Sequence, residues 1–340
     1  MNSFKNHILK LIKGTLGKII MPESFDSRIL KASEMIAKDK IGTVILPVKN
    51  IEELNKLRIT ASNLGIKLDD NISVIIMNID ILDKNMVDNF FRNMIKRGFT
   101  INDTLKLLKN PLYFSMLYLK SKNCDTCICG VNYNTAEVLK AGLYVIGVSK
   151  KIKKISSYFI MVPPTSHYLV KEPILFADCA VNPDPDILTL KDIALTTIKN
   201  FKKIFPNRKA NVAMLSFSSK GSSNSKTLTK VIEATKLIKQ YLIENNESDI
   251  SVDGELQFDT AVVPSIGKIK APNSKVAGKA NIFIFPDLNS GNIGYKIAER
   301  YGNFKAFGPI VQGFSLPVSD LSRGSCVNDI YMTSAINLIK

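Results

Sequence analysis

Tryptophan is absent from this 340-residue chain, histidine appears twice and cysteine five times. With only His7 and His167 to draw on, a Ser-His-Asp arrangement around Ser322 would have to use one of them. Cys124, Cys127 and Cys129 have a near-metal spacing, but they lie in and beside the apolar run Thr126-Cys127-Ile128-Cys129, with no histidine close by. A zinc site needs four ligands, or three and a water. These cysteines therefore read as buried strand thiols, and no metal is expected. Nor do so few cysteines in a long chain make a disulfide framework. No apolar run approaches the ~18–20 residues of a membrane span. The absence of G-x-G-x-x-G argues against a nicotinamide or flavin dinucleotide, and no Walker loop occurs. The N-terminal MNSFKNHILKLIKGTLGKII is basic and mildly amphipathic, without a signal peptide's apolar core and cleavage site. A surface helix feeding a first strand, in a soluble cytoplasmic protein with no membrane partner, is expected.

Charge is plentiful. Lys and Arg number 46 against 30 Asp and Glu, a net +16. Such an excess fits nucleic-acid binding or a polyanionic small substrate. The lysines are spread along the chain rather than gathered in an arm, and no basic run is interleaved with aromatics, so no nucleic-acid partner is expected.

The chain is long enough for two domains. Helical and strand-like patterns alternate. Ser27–Lys38, Ile51–Leu64, Asp83–Lys96, Asn102–Leu108, Leu112–Lys120 and Thr135–Val145 read as helices, with Thr43–Leu46, Ser73–Met77 and Thr126–Cys129 as strands. Continuous apolar strands separated by helices predict a parallel sheet covered on both faces. The lysine-rich Ser149–Lys154 marks a boundary, giving a first lobe over 1–150 and a second over 151–314. Beyond it, strands are predicted at Ile174–Asp178, Val212–Leu215 and Asn281–Phe285. Helices are predicted at Pro185–Ile204, from about Ser223 to Glu244, at Gly291–Tyr301 and at Val327–Lys340. The fold class is α/β, with two doubly wound lobes.

Asp320-Leu321-Ser322-Arg323-Gly324-Ser325 carries the densest chemistry. A hydroxyl, a permanent cation and a flexible backbone stand side by side, with Asp329 close behind. Arginine's planar fork suits a pair of phosphate oxygens, and glycine lets backbone amides crowd an anion. Two other stretches are phosphate-friendly. Ser216–Ser222 follows a strand and is expected to open a helix, and Asn289-Ser290-Gly291-Asn292-Ile293-Gly294 is expected to precede one.

These motifs resemble the phosphate acetyltransferase (phosphotransacetylase) family essentially end to end. The matching stretches run in family order: Met21-Pro22-Glu23 through Arg28-Ile29-Leu30, Met214–Ser218 with Lys220-Gly221-Ser222, Asp253–Asp259, and Lys270–Ser274. They continue with Phe285–Asn289, Gly291-Asn292, Tyr295-Lys296, Gly308-Pro309-Ile310, Gln312-Gly313 and Asp320–Gly324. The resemblance implies reversible acetyl transfer between coenzyme A and inorganic phosphate, with acetyl-CoA, phosphate and acetyl phosphate as substrates and no cofactor. It implies two α/β lobes of the isocitrate/isopropylmalate dehydrogenase architecture with the site in their cleft. It also implies a homodimer, and a C-terminal segment, 315–340, that returns to the first lobe.

By the same resemblance Asp329 is the base for the coenzyme A thiol, Arg323 holds the phosphoryl group, and Ser322 donates a hydrogen bond to the reacting group. Arg300 and Arg28 match further cleft arginines, and Ser218, Lys220 and Asn292 join them as substrate-binding candidates. The chain departs from the pattern where family arginines fall on Lys140 and Met94, with Arg92 and Arg97 near the latter. Three rival readings remain: the same chemistry on butyryl or another longer acyl chain, a hydroxy-acid dehydrogenase of related fold, and a basic nucleic-acid binder.

Overall fold

The structure is a computed structural model and describes residues 2–150 and 152–339. The chain runs α1 (Asn2–Leu11), β1 (Gly17–Ile20), α2 (Ser27–Lys38), β2 (Gly42–Val48), α3 (Ile51–Asn63) and β3 (Ile72–Ile76). It continues with α4 (Lys84–Lys96), α5 (Ile101–Leu108), α6 (Pro111–Lys120), β4 (Thr126–Cys129), α7 (Thr135–Val145), β5 (Ser156–Val162) and β6 (Ile174–Ala177). Then follow α8 (Ile187–Ile204), β7 (Ala210–Leu215), α9 (Thr229–Glu244), β8 (Ile250–Leu256), α10 (Phe258–Val262) and α11 (Pro264–Lys270). The last elements are β9 (Ile282–Ile284), α12 (Leu288–Arg300), β10 (Lys305–Gln312), β11 (Val318–Asp320) and α13 (Val327–Asn337). Two compact units result: Lys5–Lys150 with Phe314–Lys340, and Met1–Phe4 with Lys151–Gly313. No helix among the described residues is long and apolar enough to cross a membrane.

The first of these units is built on an all-parallel sheet in the order β11-β4-β1-β2-β3. Strand β4, Thr-Cys-Ile-Cys, is buried at every position, as a strand covered on both faces must be. Its thiols pack among Ile20, Phe90, Met116 and Val138. Helix α6 is apolar nearly all round and correspondingly buried, with Asn110 capping it and Pro111 at its first position. The amphipathic α2 begins at Asp26, whose side chain accepts from the Arg28 N–H, and buries Ile29, Leu30, Ala32 and Ile36. Strand β11 adds to the free edge of β4, pairing Asp320 with Cys129.

The other unit holds a six-stranded sheet in the order β10-β5-β6-β9-β7-β8. Strand β5 lies antiparallel to both neighbours and the rest are parallel. Phe176 sits at the centre of its core, ringed edge-on by Phe258, Phe283 and Phe285. The antiparallel pair and β8 escape the sequence pattern, because Ser156-Ser157 and Ser251–Glu255 interrupt the apolar run that marks a buried strand.

Several helix starts also differ from expectation. Asp186, whose carboxylate accepts the Thr189 N–H at 2.7 Å, starts α8 at Ile187, so Pro185 lies outside it. Asp287 caps α12, accepting from Ser290 N at 2.8 Å, so Asn289–Gly294 is the helix's opening turns rather than a loop before it. Residues 216–222 do not open α9 either, since Ser225 caps a separate turn, Lys226–Leu228, ahead of it. The C-terminal helix ends at Asn337, not Lys340, and Lys340 itself lies outside the described residues.

Candidate active site

Strands β11, β4 and β1 are neighbours and parallel, so all three end at one edge of their sheet. Carboxyl ends of parallel strands are where such sheets bind ligands. The loop after β1 brings Glu23 to this edge, only 8% exposed. Its carboxylate accepts the backbone N–H groups of Gly130 (2.9 Å), Asn132 (2.6 Å) and Tyr133 (3.1 Å) in the loop after β4. Burial pushes the Glu23 pKa up, and these N–H bonds pull against burial without cancelling it.

Arg28, in the first turn of α2, ties the same loops to the C-terminal segment. Its Nε and Nη2 bond the two oxygens of Asp26 at 3.0 and 2.8 Å, and Nη2 also donates to Val131 O at 3.1 Å. Nη1 donates to Arg323 O at 2.7 Å and Ser325 O at 3.2 Å. Burial alone would raise the Asp26 pKa, but the Arg28 guanidinium outweighs it and holds that carboxylate below its ordinary range. All of Arg28's fork is thus engaged with the protein. The geometry makes it the clamp behind the Ser322–Ser325 turn.

The turn closes on itself. Ser322 N donates to Ser325 Oγ at 3.0 Å, Gly324 N to Ser322 Oγ at 3.2 Å, and Ser325 N to Ser322 O at 2.8 Å. Ser325 is buried inside it, while Ser322 and the Arg323 side chain are exposed. Helix α13 follows at once. Cys326 is its N-cap, and Asp329 Oδ2 accepts the Cys326 N–H at 2.9 Å in a capping box. One turn and one helix start therefore present a hydroxyl, a guanidinium, helix N–H groups and a carboxylate together. That set can bind a phosphoryl group and accept a proton beside it.

The remaining candidates lie in the other unit. Ser218 is fully buried, donating to Glu255 Oε1 at 3.2 Å and sharing a 3.1 Å bond with Ser222 Oγ. Gly221 N donates to the same Glu255 oxygen at 2.7 Å, so the anion cradled by this loop is an internal carboxylate. Lys220 Nζ is paired with Asp253 at 2.6 Å and reaches Gly254 O at 3.3 Å. Asn292 Nδ2 holds Cys179 O at 3.1 Å. Arg300 ends α12 with an exposed side chain 3.7 Å from Glu299. Ser322, Arg323, Asp329 and Arg28 are brought together, whereas these four are dispersed over their own unit.

Where family arginines are missing, Met94 is fully buried. Arg97 and Lys140 both stand over the Tyr144 ring, at 4.9 and 5.6 Å, whereas Arg92 turns back on Asp88 O of its own helix at 3.4 Å. Glu23 has no role legible in sequence beyond its place in Met21-Pro22-Glu23, directly after a buried strand. Asp320 likewise reads in sequence only as the start of the Asp320–Ser325 motif.

The family described as "Phosphate acetyl/butaryl transferase" matches residues 3–338. The phosphate acetyltransferase of Acetivibrio thermocellus is 36% identical over 338 residues, covering 99% of this chain and 98% of that protein. A phosphotransacetylase structure from Streptococcus pyogenes superposes with a TM-score of 0.88 at 35% identity, covering 100% of this chain and 98% of its own. A branched-chain phosphotransacylase from Enterococcus faecalis covers 96% of this chain and 100% of its own with a TM-score of 0.65; at 16% identity it speaks for the fold alone. Residues 3–338 account for nearly the whole sequence, and the chain belongs to the phosphate acetyl/butaryl transferase family of acyltransferases.

Proposed function

We propose that the protein is a phosphate acetyltransferase, interconverting acetyl-CoA and phosphate with acetyl phosphate and coenzyme A. Asp329 takes the proton from the coenzyme A thiol. The thiolate sulfur attacks the acetyl carbonyl carbon of acetyl phosphate, forming an oxyanion, and the bond from that carbon to the phosphate oxygen then breaks. Arg323 and the N–H groups at the start of α13 offset the charge on the oxyanion and on the departing phosphate. Ser322 donates a hydrogen bond to the reacting group. The reverse direction uses the same groups, and the scheme uses no covalent acetyl-enzyme, metal or cofactor. The observation that carries it is the clamped turn, where Arg28 fixes the carbonyls of Arg323 and Ser325 at the helix end that holds Asp329.

We further propose a cytoplasmic protein, and a homodimer as the family resemblance implies. For the latter, α12 and its C-cap present Ile293, Ile297 and Tyr301 at successive turns, 56%, 54% and 89% exposed. Sedimentation at micromolar concentration checks the dimer. For activity, thiol release is followed with acetyl-CoA and phosphate, and repeated with propionyl- and butyryl-CoA. Acetyl-CoA is expected to be preferred. A preference for butyryl-CoA would move the chain to the longer-chain branch, and no release with any thioester would end the proposal.

A further inference from the structure

Asp320 is the last residue of β11, two positions before Ser322, and 1% exposed. No hydrogen bond of good geometry reaches either carboxyl oxygen among the described residues, and the Thr135 hydroxyl is the one side chain near enough to ease a charge there. It is wedged between the ends of two strands. Leu321 N donates to Cys129 O at 2.6 Å, and a Cβ added to Gly130 would stand 2.3 Å from Asp320 Oδ1. Gly130 is the residue whose N–H Glu23 holds, and it precedes Val131, whose carbonyl Arg28 holds. The Asp320 carboxyl thus occupies the join between the Glu23 loop and the anion-binding turn.

A bare carboxylate is costly in such a place, and a neutral carboxyl is not. We infer that Asp320 is a positioning residue whose neutral form lets the join pack closed, and whose ionisation loosens the turn and so limits phosphate binding at alkaline pH. The identity of the ligand rests on the proposed acetyl transfer; the device itself does not.

The surroundings bear on the sign. From the loop after β1 Asp320 meets the charge of Glu23, and from β4 the thiol of Cys129, which is held neutral beside Cys127 and by burial. Helix α7 offers the Thr135 hydroxyl, the one side chain that eases a negative charge there, with Glu137 and Lys140 exposed further along. Helix α13 carries Asp329, which accepts the Cys326 N–H, and Tyr331, whose hydroxyl donates to Asp39. No cation pairs with Asp320 among the described residues. Burial first, and Glu23 in addition, move its pKa up to about 7. Because the folded value is raised, the support Asp320 gives is whole below its unfolded pKa, near 4, and is lost as pH rises through about 7. Two anions then face each other across Gly130, and relief comes from parting the strand ends that hold Val131 and Arg323 on Arg28.

Wild type and Asp320→Asn are compared at pH 6 and 8.5 for the KM of phosphate and for the rise in melting temperature that inorganic phosphate produces. Phosphate's own ionisation enters both proteins alike. In wild type KM should climb, and the phosphate-induced rise should shrink, from pH 6 to 8.5; in Asp320→Asn the KM ratio between the two pH values should be about tenfold smaller. Equal ratios would overturn the inference. Should the variant fold poorly, the carboxyl carbon of Asp320 in wild type, followed by NMR, is expected to titrate with a midpoint near 7, and a midpoint below 5 overturns the inference. The thermal and NMR readouts need no turnover. A chain without acetyl transfer but with these shifts would defeat the functional proposal and support the role of Asp320.

Discussion

Replacing Asp329 by Asn separates two tasks that the structure gives to one side chain. As the third residue of α13 it closes the capping box, with Oδ2 2.9 Å from the Cys326 N–H. An asparagine Oδ1 can accept the same bond, so the cost to the cap is the charge at the helix N-terminus, about 0.3–1 kcal/mol. Against a typical stability of about 5–15 kcal/mol, that leaves the protein folded at 25 °C. As the base for the coenzyme A thiol, its removal should instead slow turnover roughly 10²–10⁴-fold, or about 2.7–5.5 kcal/mol of activation free energy. The two effects differ by several-fold in free energy, and one of them is invisible to a rate. Steady-state kcat with acetyl phosphate and coenzyme A, beside denaturant unfolding of the same preparations, reads both. The variant's rate relative to wild type should recover by roughly tenfold per pH unit below the thiol's own pKa, because the thiolate then forms without help. A kcat for Asp329→Asn within about threefold of wild type at pH 7 would refute general-base catalysis here and leave capping as its role.

Arg28→Ala strips donors from the carbonyls of Val131, Arg323 and Ser325. A loss of about 2–3 kcal/mol in urea unfolding, with a raised KM for phosphate, is expected; an unchanged KM would mean the turn holds without its clamp. Gly130→Ala places a Cβ 2.3 Å from Asp320 Oδ1 and 2.7 Å from Leu321 N at a φ of +104°. It should cost about 3 kcal/mol or more, and a near-wild-type melting temperature would contradict the packing described. At Asp253, burial raises the pKa but the ion pairs with Lys220 and Lys239 prevail and bring it down to about 2. That stabilisation is present above the unfolded value near 4 and fades as pH falls toward 2. Lys220→Ala should therefore be less stable by roughly 1 kcal/mol at pH 7, with Lys239 still in place. The gap should shrink by more than half as pH falls to about 2, and a gap undiminished there would argue that Lys220 acts through packing rather than charge.

Local sequence determined much of this protein. Apolar strands such as Thr-Cys-Ile-Cys, and helices with their own caps such as α2 and α7, are legible because period and capping chemistry are properties of a few consecutive residues. Ser322, Arg323 and Asp329 were legible for the same reason, lying within eight residues of one another in a single turn and helix start. Strands β5, β8 and β10 were not, because their polar positions face partners supplied from far along the chain: Ser157 answers Asp178, and Gln312 answers Ser156 and Thr197. The loop 216–222 looked open to a ligand because nothing nearby in sequence fills it, and Glu255 arrives there only through the pairing of β7 with β8.

Tertiary structure alone decided which charges are free to act. Arg28 and Arg323 are alike as symbols, yet one is engaged from Asp26 to Ser325 while the other stands exposed. Glu23, Gly130 and Asp320 are separated by more than a hundred residues at each step. They meet because three parallel strands end at one edge, and burial there, not composition, sets what their carboxyl groups can do.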